Sequence, residues 1–355
     1  MQMKYNKILI EIHHGLGDVV QIIPLINNLR KNFTEAKISV IVASSIHAEI
    51  LDCTGLVDTY YFLNLRNMKF NEIIKFIRQI RRENYDIGIL SPISNRRLGA
   101  ILLYILGCKN RVGEVSKADK RLLIKNNITM DGDNSLHKVD RNLNLLKPLD
   151  ITIYDSKPFM NINKGNEENA KNKLDIFDKK DKLIGICIGT NPVEQKKGFN
   201  RIPYEAKKWE IENYMELIER LTNDFNIILL GGKKEEQEIK EYEEKLKDNK
   251  NVINYINKTT IMESAALINE CDLVIGGDTG MLHIADALGK YTLTIFGPTD
   301  PKIVGPYSEK SNNITLNIDC QYCYGTDKLF ECNNRKCLND ITVEQIYNKA
   351  IEILN

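Results

Sequence analysis

Three things are missing from this 355-residue chain, and each absence narrows what it can be. No run approaches the ~18 apolar residues that a membrane-crossing helix needs. The first apolar run, Ile8 to Ile12, is interrupted by Glu11 and is too short for a signal-peptide core. The expectation is a soluble cytoplasmic protein. No charge of one sign dominates either: 49 Lys and Arg stand against 48 Asp and Glu, a net charge of +1. A general nucleic-acid binder would be strongly basic, so nucleic acid is not an expected partner. Neither common nucleotide fingerprint occurs, since there is no GxxxxGK[ST] run and no GxGxxG at the first strand–helix turn.

What is present is a βα alternation long enough for two domains. In the first half, apolar runs predict strands over 7–12, 37–42, 57–62 and 86–90. Helical periodicity predicts helices over 17–32, 46–53, 70–83, 96–106 and 136–149. Pro24 lies inside the first helix and predicts a kink or a late start there. Residues 150–181 are rich in Lys, Asn and Asp and read as a linker, with a short helix from about Glu167. The alternation then restarts, with strands over 183–188, 227–230, 252–255, 273–275 and 292–296. Helices are predicted over 213–223, 235–247, 261–269 and 281–288, and a last one over 342–354. Such alternation means α/β architecture with parallel sheets and right-handed crossovers. The expected division is 1–160, 161–341 and a terminal helix 342–355, with a cleft between the two domains.

The run Gly276-Gly277-Asp278-Thr279-Gly280-Met281-Leu282-His283 carries the most information. An apolar strand enters a small-residue turn that opens a helix, and a second strand ends in Phe296-Gly297-Pro298-Thr299-Asp300-Pro301. Turns at the carboxyl ends of parallel strands are where open α/β sheets bind ligands. Backbone N–H groups at Thr279 and Gly280 suit a phosphate. In the other half, the first strand leads to Gly15-Leu16-Gly17-Asp18-Val19-Val20, with Pro24 following. Together these turns resemble the heptosyltransferase family, glycosyltransferases that move heptose from ADP-heptose to the lipopolysaccharide inner core. The likeness continues through Arg111-Val112-Gly113, His137-Lys138-Val139-Asp140-Arg141-Asn142, Ala206-Lys207-Lys208-Trp209, Leu230-Gly231-Gly232 and the Cys-x-x-Cys-Tyr segment ending at Asn339-Asp340-Ile341-Thr342. It implies a GT-B fold: two Rossmann-like domains, the acceptor bound by the first, the nucleotide sugar by the second, with no catalytic metal. It also implies a C-terminal helix that packs back on the N-terminal domain.

An inverting transfer needs a base for the acceptor hydroxyl and stabilisation of the departing diphosphate. By the resemblance Asp18 is the base, although an Asp at a helix start can also simply cap its helix. Lys207, the lysine before Lys208 and Trp209, matches the family's phosphate contact. Thr279 and Gly280 add backbone N–H groups and the helix dipole. Gly189 and Thr190 end another strand toward the same ligand. Asp278 matches the donor-site aspartate and otherwise caps the helix it precedes. His283 is a donor-site contact or a packed helical histidine. Glu235 or its neighbour Glu236 can accept from ribose hydroxyls, or supply first-turn helix charge. Arg96, Arg97, Lys120 and Arg121 suit an anionic acceptor or form a solvated basic loop. Family members carry a basic residue shortly before the glycine-rich turn, and here that stretch reads Glu11-Ile12-His13-His14, of which at most one histidine faces the cleft. Asp131-Gly132-Asp133 reads as a turn, despite its likeness to the DxD of metal-dependent transferases.

Cys320, Cys323, Cys332 and Cys337 form two close pairs, a spacing that fits a tetrahedral thiolate site. The resemblance adds relatives that hold iron on cysteines, so structural zinc or iron is expected, with free thiols or an oxidative bond as alternatives. The other four cysteines read as packing residues. The expected partners are ADP-heptose or a related nucleotide sugar and an anionic glycan or lipopolysaccharide-core acceptor, with peripheral association at the inner membrane. The competing readings are a transferase acting on a protein or another glycan, and a non-catalytic nucleotide-sugar-binding protein. An NAD-dependent oxidoreductase is disfavoured by the first turn.

Overall fold

The structure is a computed structural model describing residues 5–12, 15–64, 67–94, 96–114, 127–130, 133–177, 181–189, 196–197, 200–201 and 204–355. It divides into two compact units, Met1–Met160 and Asn161–Asn355.

The N-terminal unit runs β1 (Lys7–Ile12), α1 (Leu16–Asn32), β2 (Lys37–Val42), α2 (Ser45–Asp52), β3 (Thr59–Phe62), α3 (Phe70–Glu83), β4 (Ile87–Leu90), α4 (Arg96–Ile105), β5 (Asn110–Glu114), β6 (Asn127–Met130) and α5 (Lys138–Asn144). Its six strands lie in the order β3-β2-β1-β4-β5-β6, every neighbouring pair parallel. The apolar runs KILIEI and KISVIV are buried almost throughout because helices cover both faces of a parallel sheet. β5 and β6 have no counterpart among the predicted strands. β5, NRVGE, carries Arg and Glu in place of an apolar run, and its Arg111 and Glu114 are buried. Pro24 does not delay α1, which starts at Leu16 and runs through it over 17 residues. The predicted helix over 136–149 is α5 plus one tight turn, Lys147–Leu149, that closes on left-handed Asp150. The start of the expected linker belongs to this unit. Asn28 accepts from the Tyr154 amide at 2.6 Å and donates to the Asp155 carbonyl at 2.6 Å.

The C-terminal unit opens with α6 (Lys164–Leu174), then β7 (Leu183–Cys187), a short hairpin of β8 (Lys196–Lys197) and β9 (Asn200–Arg201), and α7 (Ile211–Leu221). β10 (Asn226–Leu230), α8 (Lys233–Glu238), α9 (Glu243–Lys247), β11 (Val252–Asn254), α10 (Ile261–Glu270), β12 (Leu273–Gly277) and α11 (Gly280–Ala287) follow. The chain ends with β13 (Tyr291–Ile295), α12 (Pro301–Val304), β14 (Ser311–Ile314), α13 (Asp327–Phe330), α14 (Lys336–Asn339) and α15 (Val343–Leu354). The sheet order is β11-β10-β7-β12-β13-β14, again all parallel. Leaving the hairpin aside, both units share one topology, with its reversal between first and fourth strands: β1/β4 in one, β7/β12 in the other. β7 and β12 approach closely there, for a Cβ on Gly276 would fall 2.7 Å from the Cys187 carbonyl.

Alternation along the strands of the second sheet feeds two cores. Ile184, Ile186, Ile227, Leu229 and Ile275 face Trp209, Tyr214 and Leu217, while Ile228, Leu230 and Val274 face Leu267, Leu282 and Ala285. Val343, Ile346, Ala350 and Leu354 of α15 are buried in the core of this unit, beside α7. Ile346 and Ala350 are one turn apart and form the stripe that α7 and the sheet cover.

Candidate active site

Each sheet's topological switch point marks a candidate binding corner, because the loops leaving adjacent strands diverge there and open a crevice. In the N-terminal unit the chain leaves β1 and starts α1 with Asp18 in its first turn. The Asp18 carboxylate accepts from the Gly15 amide at 3.3 Å through Oδ2, as a helix-start Asp does. Its other oxygen, Oδ1, is 2.6 Å from Nζ of Lys138, the first residue of α5. Lys138 is a functional candidate that the residue-by-residue reading passed over. It stands in the quoted His137-to-Asn142 run, and only the folded chain shows that 120 residues of separation close to an ion pair. The rest of that run holds α5 in place: Arg141 makes a two-pronged contact with Glu114 at 2.6 and 3.1 Å, and Asn142 donates to the Gln21 carbonyl at 3.1 Å.

A second acid lies at the same corner. Glu11, the last residue but one of β1, is buried and accepts a hydrogen bond from the Ser94 hydroxyl, beyond the end of β4. Burial pushes its carboxyl up to about 7, against the opposing pull of that hydrogen bond. His13, His14, Lys120, Arg121 and Asp131 lie outside the described residues, and nothing is described of the Arg96 side chain. Arg97 is exposed on α4, and Asp133 accepts from the Ser135 amide and hydroxyl in a local turn.

The C-terminal corner is more heavily built. Asp278 follows β12 directly, and the residue that caps α11 is Thr279, so Asp278 is left for a different task. Its Oδ2 is 2.6 Å from Lys207 Nζ and accepts the Thr299 hydroxyl at 2.9 Å. Burial pushes the Asp278 carboxyl up; the Lys207 charge and hydrogen bond, the neighbouring His283 and the Thr299 hydroxyl outweigh it, so it sits below its ordinary value. The fold brings Lys207 and Asp278 together, with His283 nearby, and adds Thr299 from the Phe296-to-Pro301 turn. It also adds Tyr324, whose ring lies 4.4 Å from Lys207 Nζ, within range of a cation–π contact. The loop carrying Tyr324 is fastened to the same turn: the Tyr324 amide donates to the Pro298 carbonyl at 2.9 Å, and the Gln321 side chain to the Gly297 carbonyl at 3.1 Å.

Lys208 points elsewhere, pairing with Glu238 at 2.5 Å, and Trp209 anchors the segment through its indole N–H to the Ile341 carbonyl at 3.0 Å. Glu235 caps its own helix, accepting from the Gly232 amide at 2.7 Å, and also lies against Gly189. A Cβ on Gly189 would meet the Glu235 carboxylate at 2.3 Å, so the glycine lets these two predicted donor residues touch. Glu236 instead meets Asn257 at 2.9 Å. Thr190 lies outside the described residues. The surface cavity lined by Lys171, Asp175, Asp181, Asn226, Glu270 and Asp272 opens at the amino ends of the strands, the wrong end for this chemistry.

The expected zinc or iron site is not formed. Among the described residues no group of three or more His, Cys, Asp or Glu side chains could hold a metal ion. All four thiols are free. Cys320 and Cys332 are exposed, and Cys332 turns its sulfur to the Asn334 carbonyl at 3.3 Å. Cys337 is buried on α14; burial first, then the neighbouring Cys323, Cys320 and Cys332, push its thiol up to about 11. The cluster's visible work is different: it brackets the loop that sets Tyr324 over Lys207.

Residues 73–333 match the family model for glycosyltransferase family 9 (heptosyltransferase). The chain belongs to that family. It is accordingly a glycosyltransferase. It is 27% identical over 283 residues to a lipooligosaccharide heptosyltransferase 2 of Haemophilus influenzae, covering 77% of this chain and 78% of that one. Among solved structures it is similar to a family 9 glycosyl transferase of Veillonella parvula, at TM-score 0.81 and 20% identity, covering 100% and 98% of the two chains. It is similar also to an E. coli ADP-heptose lps heptosyltransferase II, at TM-score 0.75 and 20% identity, covering 98% of each. These likenesses establish the GT-B fold for this family 9 transferase. Among its described residues no helix is long and apolar enough to cross a membrane.

Proposed function

We propose that this family 9 transferase moves heptose from ADP-heptose to an inner-core lipopolysaccharide or lipooligosaccharide acceptor, with inversion and without a catalytic metal. It would do so in the cytoplasm, at the inner face of the inner membrane. The observation that carries the reading is the Lys207–Asp278 corner. A half-buried ammonium, held in place by a carboxylate, a threonine-supported turn and an aromatic ring, lies beside the first turn of α11. A diphosphate entering there meets a positioned cation and the unpaired amides of a helix start. Both stabilise the charge that builds on ADP as the glycosidic bond breaks. Gly189, Glu235, Thr279, Gly280 and His283 complete the donor site in this proposal.

Asp18 is the base. The acceptor oxygen forms the new bond to the anomeric carbon, ADP leaves with the old bonding pair, and the hydroxyl proton passes to the Asp18 carboxylate. Lys138 holds that carboxylate in one orientation, and an acceptor hydroxyl competes with it for Oδ1. Arg96, Arg97, Lys120 and Arg121 are the proposed acceptor contacts. The names of the relatives support the substrates: one is an ADP-heptose lps heptosyltransferase, another a lipooligosaccharide heptosyltransferase.

The test is release of ADP from ADP-heptose in the presence of candidate acceptors, with mass analysis of the product. Transfer to a core oligosaccharide is expected. Tight ADP binding with no transfer to any glycan would favour the nucleotide-sugar-binding alternative, and transfer only to protein would move the acceptor class.

A further inference from the structure

α3 and α4 lie side by side on one face of the N-terminal sheet, and their inward residues share a core. Phe76 and Ile80 of α3 and Leu103 of α4 pack with Leu9, Tyr61 and Leu90. The two helices touch directly, since Arg81 donates to the Ile105 carbonyl at 2.7 Å. What they turn outward is unusual. On α4, Leu98, Ile101, Tyr104 and Ile105 are 65%, 43%, 51% and 39% exposed. Their spacing of three, three and one places them on a single stripe of the helix. Scattered exposed apolar residues need no explanation, but a continuous stripe of large ones does. On α3 the outward stripe is basic: Lys75, Arg78 and Arg82 are exposed at helical spacing, and Arg81 is exposed beside them. The acids of α3 are engaged elsewhere. Glu72 turns back to the Lys69 amide at 2.7 Å, and Glu83 pairs with Lys7 and Lys37. Phe70, 79% exposed, sits at the start of the same helix.

We infer that the α3–α4 face docks on an anionic lipid bilayer, the α4 stripe entering the headgroup boundary and the α3 row meeting lipid phosphates. An apolar helical stripe beside a basic one is the pattern of an interfacial helix, which lies in the membrane plane without crossing it. Each Lys or Arg near an anionic surface adds to the attraction. The charge pattern selects lipid over a second copy of this chain. A two-fold contact through α4 would bring two identical basic rows within about a Debye length of each other, where they repel. An anionic bilayer neutralises them. The inference rests on the membrane-face placement proposed above, and it makes that placement a property of two named helices.

The experiment is co-sedimentation of the full chain with phosphatidylcholine vesicles containing about 30% phosphatidylglycerol, and with phosphatidylcholine alone. Neither donor nor acceptor is present, so failure here leaves the transfer reading intact. Binding is expected to the anionic vesicles only, to weaken as salt is raised, and to fall at least tenfold in Leu98→Ser/Ile101→Ser and in Arg78→Glu/Arg82→Glu. Thermal melts of both variants establish that they are folded, and the second pair, wholly on the surface, serves if the first is unstable. No binding to anionic vesicles, or binding unchanged in both folded variants, overturns the inference. So does a concentration-dependent dimer, seen by ultracentrifugation, that the Ile101 variant abolishes.

Discussion

Asp18 and Asp278 both follow a strand at a topological switch point, and each meets a lysine at 2.6 Å. Their surroundings differ. Asp278 is the more deeply placed, its side chain 10% exposed against 17% for Asp18. One of its oxygens serves both Lys207 and Thr299, with His283 nearby and Tyr324 on the far side of the lysine. Asp18 divides its oxygens between Lys138 and a long contact to Gly15. In the proposed reaction the more crowded pair presents its lysine to the diphosphate, whereas the Asp18 carboxylate takes the acceptor proton.

The largest separation between the two corners is expected from Asp18→Asn. It should lower kcat by about 10²–10⁴-fold, the usual range for losing a general base, with ADP affinity unchanged in calorimetry. Turnover within a few-fold of the parent protein would remove Asp18 from the base role and end the contrast. At the other corner, Lys207→Met leaves Asp278 without its lysine, and breaking such a pair costs about 3–5 kcal/mol of stability. Denaturant unfolding should show that loss. The double variant Lys207→Met/Asp278→Asn should recover most of the stability and none of the ADP affinity. If the double variant also regained ADP affinity, the pair would be structural only.

Glu11 sharpens the comparison from the N-terminal side through pH. Its carboxyl titrates near 4.5 in an unfolded chain and at about 7 when folded. Below about pH 4.5 both states hold the proton; between there and about 7 only the folded state does, so stability falls as pH rises across that window, by roughly 3 kcal/mol. Glu11→Gln should flatten this slope and leave the protein more stable than its parent above pH 7. Melting temperatures measured across the window decide it, and parallel curves for the two proteins would contradict it. The smallest effect is expected at Tyr324. Tyr324→Leu removes a cation–π contact worth about 0.5–2 kcal/mol, so ADP should bind about 2- to 30-fold more weakly. Tyr324→Phe should bind as the parent does, and equal losses in both variants would assign the role to the hydroxyl instead.

Much of the C-terminal corner was legible as sequence, because its parts are local. β12, the turn and α11 are one continuous run, and the small residues that permit the turn are those that flank Asp278 and Thr279. Lys207 was legible only through the family likeness, and Thr299 and Tyr324 were within quoted motifs without a role. The N-terminal corner was half legible. Asp18 stood out, but its partner Lys138 did not, since nothing local in a helix start names a carboxylate 120 residues away. The cysteines misled for the converse reason: their spacing allows a metal site, but among the described residues no ligating group forms.

Apolar runs at strand spacing, separated by helical periods, determined by themselves that the chain forms parallel βα layers, because burying both faces of such a sheet leaves no other pattern. They also marked where the turn between β12 and α11 lies. Only the tertiary structure decided which charges meet. Ion pairs between distant elements depend on strand order and on the depth at which each helix sits, and two adjacent lysines are spelled alike. For that reason Lys207 is fixed between Asp278 and Tyr324 while Lys208 beside it turns to Glu238. For the same reason the last helix, an ordinary amphipathic segment in sequence, closes the core of its own unit.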